Sequence, residues 1–491
     1  MDTEKRFVAA LAAILAAGSI LCGCRHPMAD YEAGIISGNY SKAADIAVGE
    51  ITDGDSDELM WRLMAGGAFR LAGQDEPALD QFDKAEDTMI EHDGASVFSK
   101  GATGTWAMLT NEKAFPYDGG GLDRVMTCLY KAIDFAAAGN PAAVRTELNR
   151  AALHQQNWLD DRRREIADAQ ERLDKDAEAY KKEKQSQTPA AGGKASLDSK
   201  AVVSGAFANE GFAAQVKSQA DFDLATSGLL DNLKSADWMN VYAAHVTGVF
   251  RWLNGDDGRS FLKDAASCRP DNVVAVRDVA ECEKGVRPKD QVWVWLEEGL
   301  GPKRTEWRID LPLVLIPYVN RFVLYAGMAF PRLDYRAAAG ANWQASTSGG
   351  SVPLAELMDV DAKAKLEFDV YLRGALTREI TRTVVKVGTQ VALGVVAENI
   401  DDSYTRCALK ASQLAAAAWA ASTTGADTRS WTTLPKKVHA VRIDRPADGK
   451  VALTGTCGKV VEITVPVGNS MVFVSKPSAL APASVKVATY P

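Results

Sequence analysis

Apolar residues recur at three- and four-residue intervals from Tyr31 to Arg150, the spacing of amphipathic helices. A unit repeats within that stretch. Gly38-Asn39-Tyr40 followed by Ala43 returns 35 residues later as Gly73-Gln74-Asp75 followed by Ala78, close to the period of tetratricopeptide-type (TPR-like) helix pairs. In the second unit Gly66 and Phe69 fall on the first helix, Gly73 at the turn, and Ala78, Phe82 and Ala85 on the second. Small residues there let the helices approach, and aromatic rings fill the gap. A third unit starts near Leu129, with Phe135, a turn at Gly139, then Val144, Leu148 and Ala151. Gly119-Gly120-Gly121 belongs to an irregular insertion between the second and third units. Such units bury their apolar faces only by stacking; a plain helical bundle is the competing expectation.

From Leu148 to about Glu183 the pattern predicts one long charged helix. Asp161 to Glu165, and Glu171 with Lys175, are spaced for opposite-charge pairing. A solvated face is the favoured reading and a protruding arm the alternative. Residues 184–200 turn to Gln, Ser, Thr, Pro, Ala and Gly, the composition of a disordered linker. Helix resumes by Leu224. Trp238–Leu253 and Arg259–Cys268 then form another helix pair, stopped by Pro270.

The character changes at Gln291. Gln291-Val292-Trp293-Val294-Trp295-Leu296 is β-branched and aromatic, and Arg304–Ile316 and Arg321–Ala329 continue in that style. Leu357–Lys386 predicts two helices split near Gly374, and Tyr404–Ala421 an Ala-rich helix that packs closely. Val438–Ile443, Lys450–Thr454, Val460–Val465 and Met471–Ser475 predict short strands separated by Gly- or Pro-containing turns. The expected class is therefore α+β: TPR-like helical repeats, then an α+β domain with a small antiparallel C-terminal β-unit. Expected boundaries are a leader at 1–23, helices at 24–183, a linker at 184–200, helices at 201–288 and the α+β domain at 289–491.

The start of the chain speaks to location. Lys5 and Arg6 precede an apolar run from Phe7 to Ile20 and then Leu21-Cys22-Gly23-Cys24. A positive head, a short apolar segment and a small residue before cysteine describe a lipoprotein export signal, with acyl chains carried on Cys24. The run is too short to span a bilayer comfortably. Arg25 follows, and by resemblance to Gram-negative lipoproteins the lack of Asp there favours the outer membrane.

Composition narrows the classes. With 491 residues and net charge −8, the chain has room for several domains, and it lacks the basic stripe of a nucleic-acid binder. Of seven cysteines, five stay in the mature chain beyond Cys24, so this is no disulfide scaffold. Cys268 and Cys282 either staple adjacent helices or remain buried thiols, the favoured reading. The serine-nucleophile elbow, the phosphate-binding loop, the dinucleotide fingerprint and Cys-x-x-Cys spacing in the mature chain are all missing. The histidines show no metal-ligand spacing. Glu297-Glu298 is a poor acid/base dyad, because neighbours on a strand point to opposite faces. Asp256-Asp257 lies in a Gly-rich turn and reads as a capped turn.

Trp295-Leu296-Glu297-Glu298-Gly299-Leu300-Gly301-Pro302 with Arg308-Ile309-Asp310-Leu311-Pro312 forms one recognisable block. Ala426-Asp427-Thr428-Arg429-Ser430-Trp431-Thr432-Thr433-Leu434-Pro435 forms another. Arg378, Arg382 and Lys386 lie between them, and Tyr130-Lys131-Ala132 and Glu147-Leu148-Asn149-Arg150 lie upstream. Together these resemble a family of uncharacterised bacterial envelope lipoproteins. The resemblance implies TPR-like helices before an α+β half, an envelope location and no assigned activity; it carries over no catalytic residue, cofactor or metal ligand. Asp427 is placed to bond Arg429 or to cap nearby backbone.

The expected function is a lipid-anchored, non-catalytic scaffold that binds envelope proteins through its TPR-like helices. Arg429, Trp431, Glu147 and Arg150 are the candidate interaction residues. The alternative is a glycan- or peptidoglycan-binding, or less favoured glycan-cleaving, module in the Trp-rich second half, with Trp293, Trp295, Trp307 and Trp343 as stacking faces.

Overall fold

A computed structural model of the chain describes residues 26–99, 113, 115–160, 164, 206, 209–222, 238–310, 323, 326–398, 401–456 and 458–491. The expected lipidation site Cys24, most of the charged helix beyond residue 160 and the 184–200 linker lie outside them.

The first half is built of helix pairs. Helices α1 (Pro27–Ser37) and α2 (Tyr40–Glu50) are followed by α3 (Glu58–Leu71) and α4 (Asp75–Ser99). Next come α5 (Gly121–Ala137) and α6 (141–160), α7 (Glu210–Ala220), α8 (Val241–Leu253), α9 (Arg259–Cys268) and α10 (Val273–Glu283). The repeated glycines are helix terminators. Gly38 and Gly73 sit at φ 81° and 73°, a left-handed conformation that other residues adopt only with strain. Asn39 N–H returns to Gly34 O at 2.8 Å and Gln74 N–H to Phe69 O at 2.9 Å, one helix-ending motif used twice. The spacing read from the sequence is the distance between two such stops. Gly66 has its expected use: a Cβ there would come within 2.6 Å of the Phe82 ring.

The second half carries two larger sheets and a hairpin. Strand β1 (Gln291–Glu298) lies at the centre of a five-stranded sheet ordered β11-β10-β1-β7-β6. Here β6 is Ala355–Asp359, β7 Lys437–Asp444, β10 Asn469–Lys476 and β11 Ser484–Tyr490. β1 pairs with β10 in parallel and with β7 antiparallel. A four-stranded sheet contains β4 (Gln344–Thr347), β5 (Gly350–Pro353), β8 (Lys450–Gly455) and β9 (Gly458–Thr464). β2 (Lys303–Asp310) and β3 (Gly327–Asp334) form a separate hairpin.

All eight residues of β1 are buried, because both faces of the strand are covered. Trp293 and Trp295 enter the core shared with the helix pairs. Val292, Val294 and Leu296 point the other way, toward Trp343, Val451 and Leu453 of the second sheet. The chain is thus α+β, with a helical half followed by a half rich in strands.

Three local expectations change. Val360–Glu398 is one helix, α11, through Gly374, where an added Cβ would meet only the tip of Arg378. Residues 355–359 are a strand whose short polar-apolar run lacks β-branched residues, so propensity hid it. α7 and α10, inside the expected helical segment 201–288, and β4, β5 and β11 also form where no individual element was placed. The Ala-rich helix α12 (Ser403–Ser422) packs on α11 but buries only Ala417 and Ala420. Cys268 and Cys282 are not joined in a disulfide. Among the described residues no helix is long and apolar enough to cross a membrane.

Candidate functional site

The seam between helix pairs and central sheet gathers charge in an apolar interior. Every residue of α3 except Phe69 is buried, so Arg70 in its last turn is carried inward. There it meets Glu297 of β1 at 3.2 Å and donates to Ser475 of β10 at 3.2 Å. Ser475 and Tyr242 in turn donate to Glu297, at 2.6 and 3.0 Å. The guanidinium also lies 4.0 Å from the centre of the Tyr130 ring, a cation–π contact. Asp134, one turn further along α5, pairs with Arg70 at 3.8 Å and with Lys486 of β11 at 2.8 Å. Lys486 also pairs with Asp75.

Burial works against the charge on Arg70, but Glu297, Tyr130 and Asp134 outweigh it and raise its pKa. Burial raises Asp134 against the pull of Lys486 and Arg70. It also drives the Tyr130 and Tyr242 hydroxyls well above the usual phenol range, with Glu297 adding to both shifts. The neighbouring cavity, bordered by Gly67, Thr433 and Pro435, measures about 10 Å³, the space of about one water. The arrangement ties the helical half to the central sheet.

A second buried constellation lies between α8, α10 and the same sheet. Trp295 donates its indole N–H to His245 Nδ1 at 3.0 Å. The ring proton therefore sits on Nε2, which faces Asp278 at 3.0 Å. Asp278 also accepts from Trp293 at 2.8 Å and from Arg442 at 2.8 Å. His245 and Asp278 have no solvent-exposed surface. A histidine–aspartate pair of this kind can move protons in an open cleft; here two tryptophans seal it.

The residues singled out from the sequence are used inside the chain. Asp427 bonds both the Arg429 amide (3.0 Å) and its guanidinium (2.8 Å), as its position suggested. Burial opposes ionisation, but Arg429 holds the Asp427 carboxyl below the usual range. Arg429 continues to Ser56 O and Asp57, so the 426–435 block is tied to the start of α3. Trp431 is buried between Phe82 and Tyr130 and donates to Thr433. Glu147 pairs with Lys131 at 3.1 Å and Arg150 at 3.2 Å, uniting two upstream blocks; Arg150 alone of the four keeps an exposed flank, at 38% of its side chain.

Trp293, Trp295, Trp307 and Trp343 are all buried. Glu297 and Glu298 face opposite sides: Glu298 accepts from the Ala339 amide at 2.9 Å. Asp256 and Asp257 pair with Arg145 and Arg259. Sequence reasoning missed Arg70, Lys486 and Asp278. The one available signal was a charged residue, Arg70, inside the otherwise apolar run Leu63–Leu71.

No family model, curated protein or solved structure matches the chain.

Proposed function

We propose that this protein is a lipid-anchored component of a bacterial cell envelope, serving as a non-catalytic scaffold for other envelope proteins. The observation carrying this reading is how the polar groups are used. The Arg70–Glu297, His245–Asp278 and Arg429–Asp427 pairs are turned inward to join the halves of the chain, and the cavity beside Arg70 and Glu297 holds about one water. Exposed apolar side chains available for partner contact include Tyr404, Leu414 and Trp419 on α12, 84, 48 and 42% exposed. Aromatic and aliphatic anchors of that kind dominate protein interfaces. The Gly23-Cys24 lipobox and the resemblance of the 295–302 and 426–435 blocks to envelope lipoproteins support the location. Trp293, Trp295, Trp307 and Trp343 are buried, which favours the scaffold over glycan binding.

Two measurements test the reading. Radiolabelled palmitate should mark the wild-type chain and leave Cys24→Ala unlabelled. Detergent pull-down of the lipidated protein should recover one or a few envelope proteins at constant ratio. Labelling that persists in Cys24→Ala removes the anchor. Repeated recovery of nothing, or a Trp-fluorescence response to peptidoglycan fragments, overturns the scaffold.

A further inference from the structure

Three donors of different chemistry converge where α4, α5 and α6 pack together. The Cys128 thiol of α5 lies 3.3 Å from Glu86 Oε1 of α4. With one nitrogen of His154 on α6, the three donor atoms fall within 4.8 Å of one another. We infer that Glu86, Cys128 and His154 form a binding site for a single divalent cation of the zinc type.

Donor chemistry supports this. A thiolate, an imidazole and a carboxylate are the ligand set that late first-row divalent ions prefer, and three protein ligands leave a fourth position open. Glu86 is oriented for the task because its two oxygens are used differently. Oε2 receives Lys131 at 2.5 Å and Arg150 at 3.0 Å, while Oε1 is turned toward the thiol. Second partners that fix a ligating carboxylate in this way are usual around metal sites. Among the described residues the His154 ring makes no hydrogen bond. Cys128 and Glu86 are buried, and His154 is half-buried beside the partly exposed Arg150, which places the site's opening on that side.

Charge balance points the same way. Asp83, Glu86 and Glu147 surround Lys131 and Arg150, leaving one negative charge in excess. When a divalent cation binds, the Cys128 S–H bond breaks, its proton leaves to solvent and the sulfur forms the metal bond. The thiolate adds a second negative charge, and the cation cancels both, so this set of charges ends neutral.

The test titrates the reduced full-length protein in detergent with cobalt(II), then with zinc(II) in competition. A thiolate-to-cobalt charge-transfer band should appear at one equivalent and be abolished by zinc. Cys128→Ser should lose the band, and His154→Gln should weaken zinc binding by at least roughly tenfold. A variant with Cys268, Cys282, Cys407 and Cys457 all changed to Ser should keep the band. Far-UV circular dichroism establishes that each variant is folded; if Cys128→Ser is not, His154→Gln and the four-serine variant decide. No band in the wild type, a band lost in the four-serine variant, or zinc affinity unchanged in His154→Gln overturns the site.

Discussion

Arg70 and Glu297, separated by 227 residues in the chain, meet at 3.2 Å with side chains only 5 and 4% exposed. One lies in the last turn of a helix of the first half and the other next to the end of the central strand of the second. Two ions taken out of water persist only with further partners, and Ser475, Tyr242 and Tyr130 provide them. The halves are therefore joined by a contact that no hydrophobic swap on one side reproduces.

Removing one member should leave the other buried and unpaired. Arg70→Met is expected to cost about 3–5 kcal/mol of unfolding free energy in urea titration. Arg70→Met with Glu297→Gln should cost clearly less than the sum of the single changes. Strict additivity would show that the two charges are not coupled.

Two glycines of one helix pair should respond through different mechanisms. Gly66→Ala drives a methyl into the Phe82 ring, with a Cβ approach of 2.6 Å, and should cost about 1–3 kcal/mol by overpacking. Gly73→Ala meets nothing within 4 Å but holds φ at 73°, so it should cost about 1–2 kcal/mol through backbone strain alone. Adding Phe82→Leu should relieve the first and leave the second unchanged; relief of both would refute the distinction.

Asp278 balances Arg442 while accepting from Trp293 and facing His245. Asp278→Asn removes the charge and keeps the size. It should cost about 3 kcal/mol or more and alter the near-UV circular dichroism, because Trp293 loses its ionised acceptor. An unaltered aromatic spectrum would place the indole elsewhere.

Asp369 links stability to pH. Burial raises its pKa to about 6, in spite of Lys365 at 2.7 Å. The unfolded chain releases that proton near 3.8, so between these values the folded state holds more protons. Its contribution is fully present below the unfolded value and is lost as pH rises through 6, an effect on the order of 2–3 kcal/mol. The stability difference between Asp369→Asn and wild type should therefore change from about pH 4 through 6 and level off about one unit above 6. Parallel curves across that range would contradict the shift.

Much of the first half was legible because its signals are local. Gly38 and Gly73 end helices through backbone bonds reaching five residues back, and Gly66 with Phe82 lies within one helix pair. Asp427 and Arg429 are two residues apart, so their pairing was foreseeable. The alternation of β1 was equally plain, although it did not disclose that both faces would be covered. Gly374 misled, since a glycine inside a helix is no stop unless something else ends it. β6 was missed because its five residues have little strand propensity and are held by pairing with β7.

The sequence by itself determined most of the helices of the first half, where helix pairs turn, and an α+β order along the chain, because periodicity and chain-ending motifs act over a few residues. Only the tertiary structure decided that β10 lies parallel beside β1, that Arg70 finds Glu297, and that His245 is sealed between Trp295 and Asp278. Those outcomes depend on partners dozens to hundreds of residues away, chosen because each buried charge or N–H must find a complement once water is excluded.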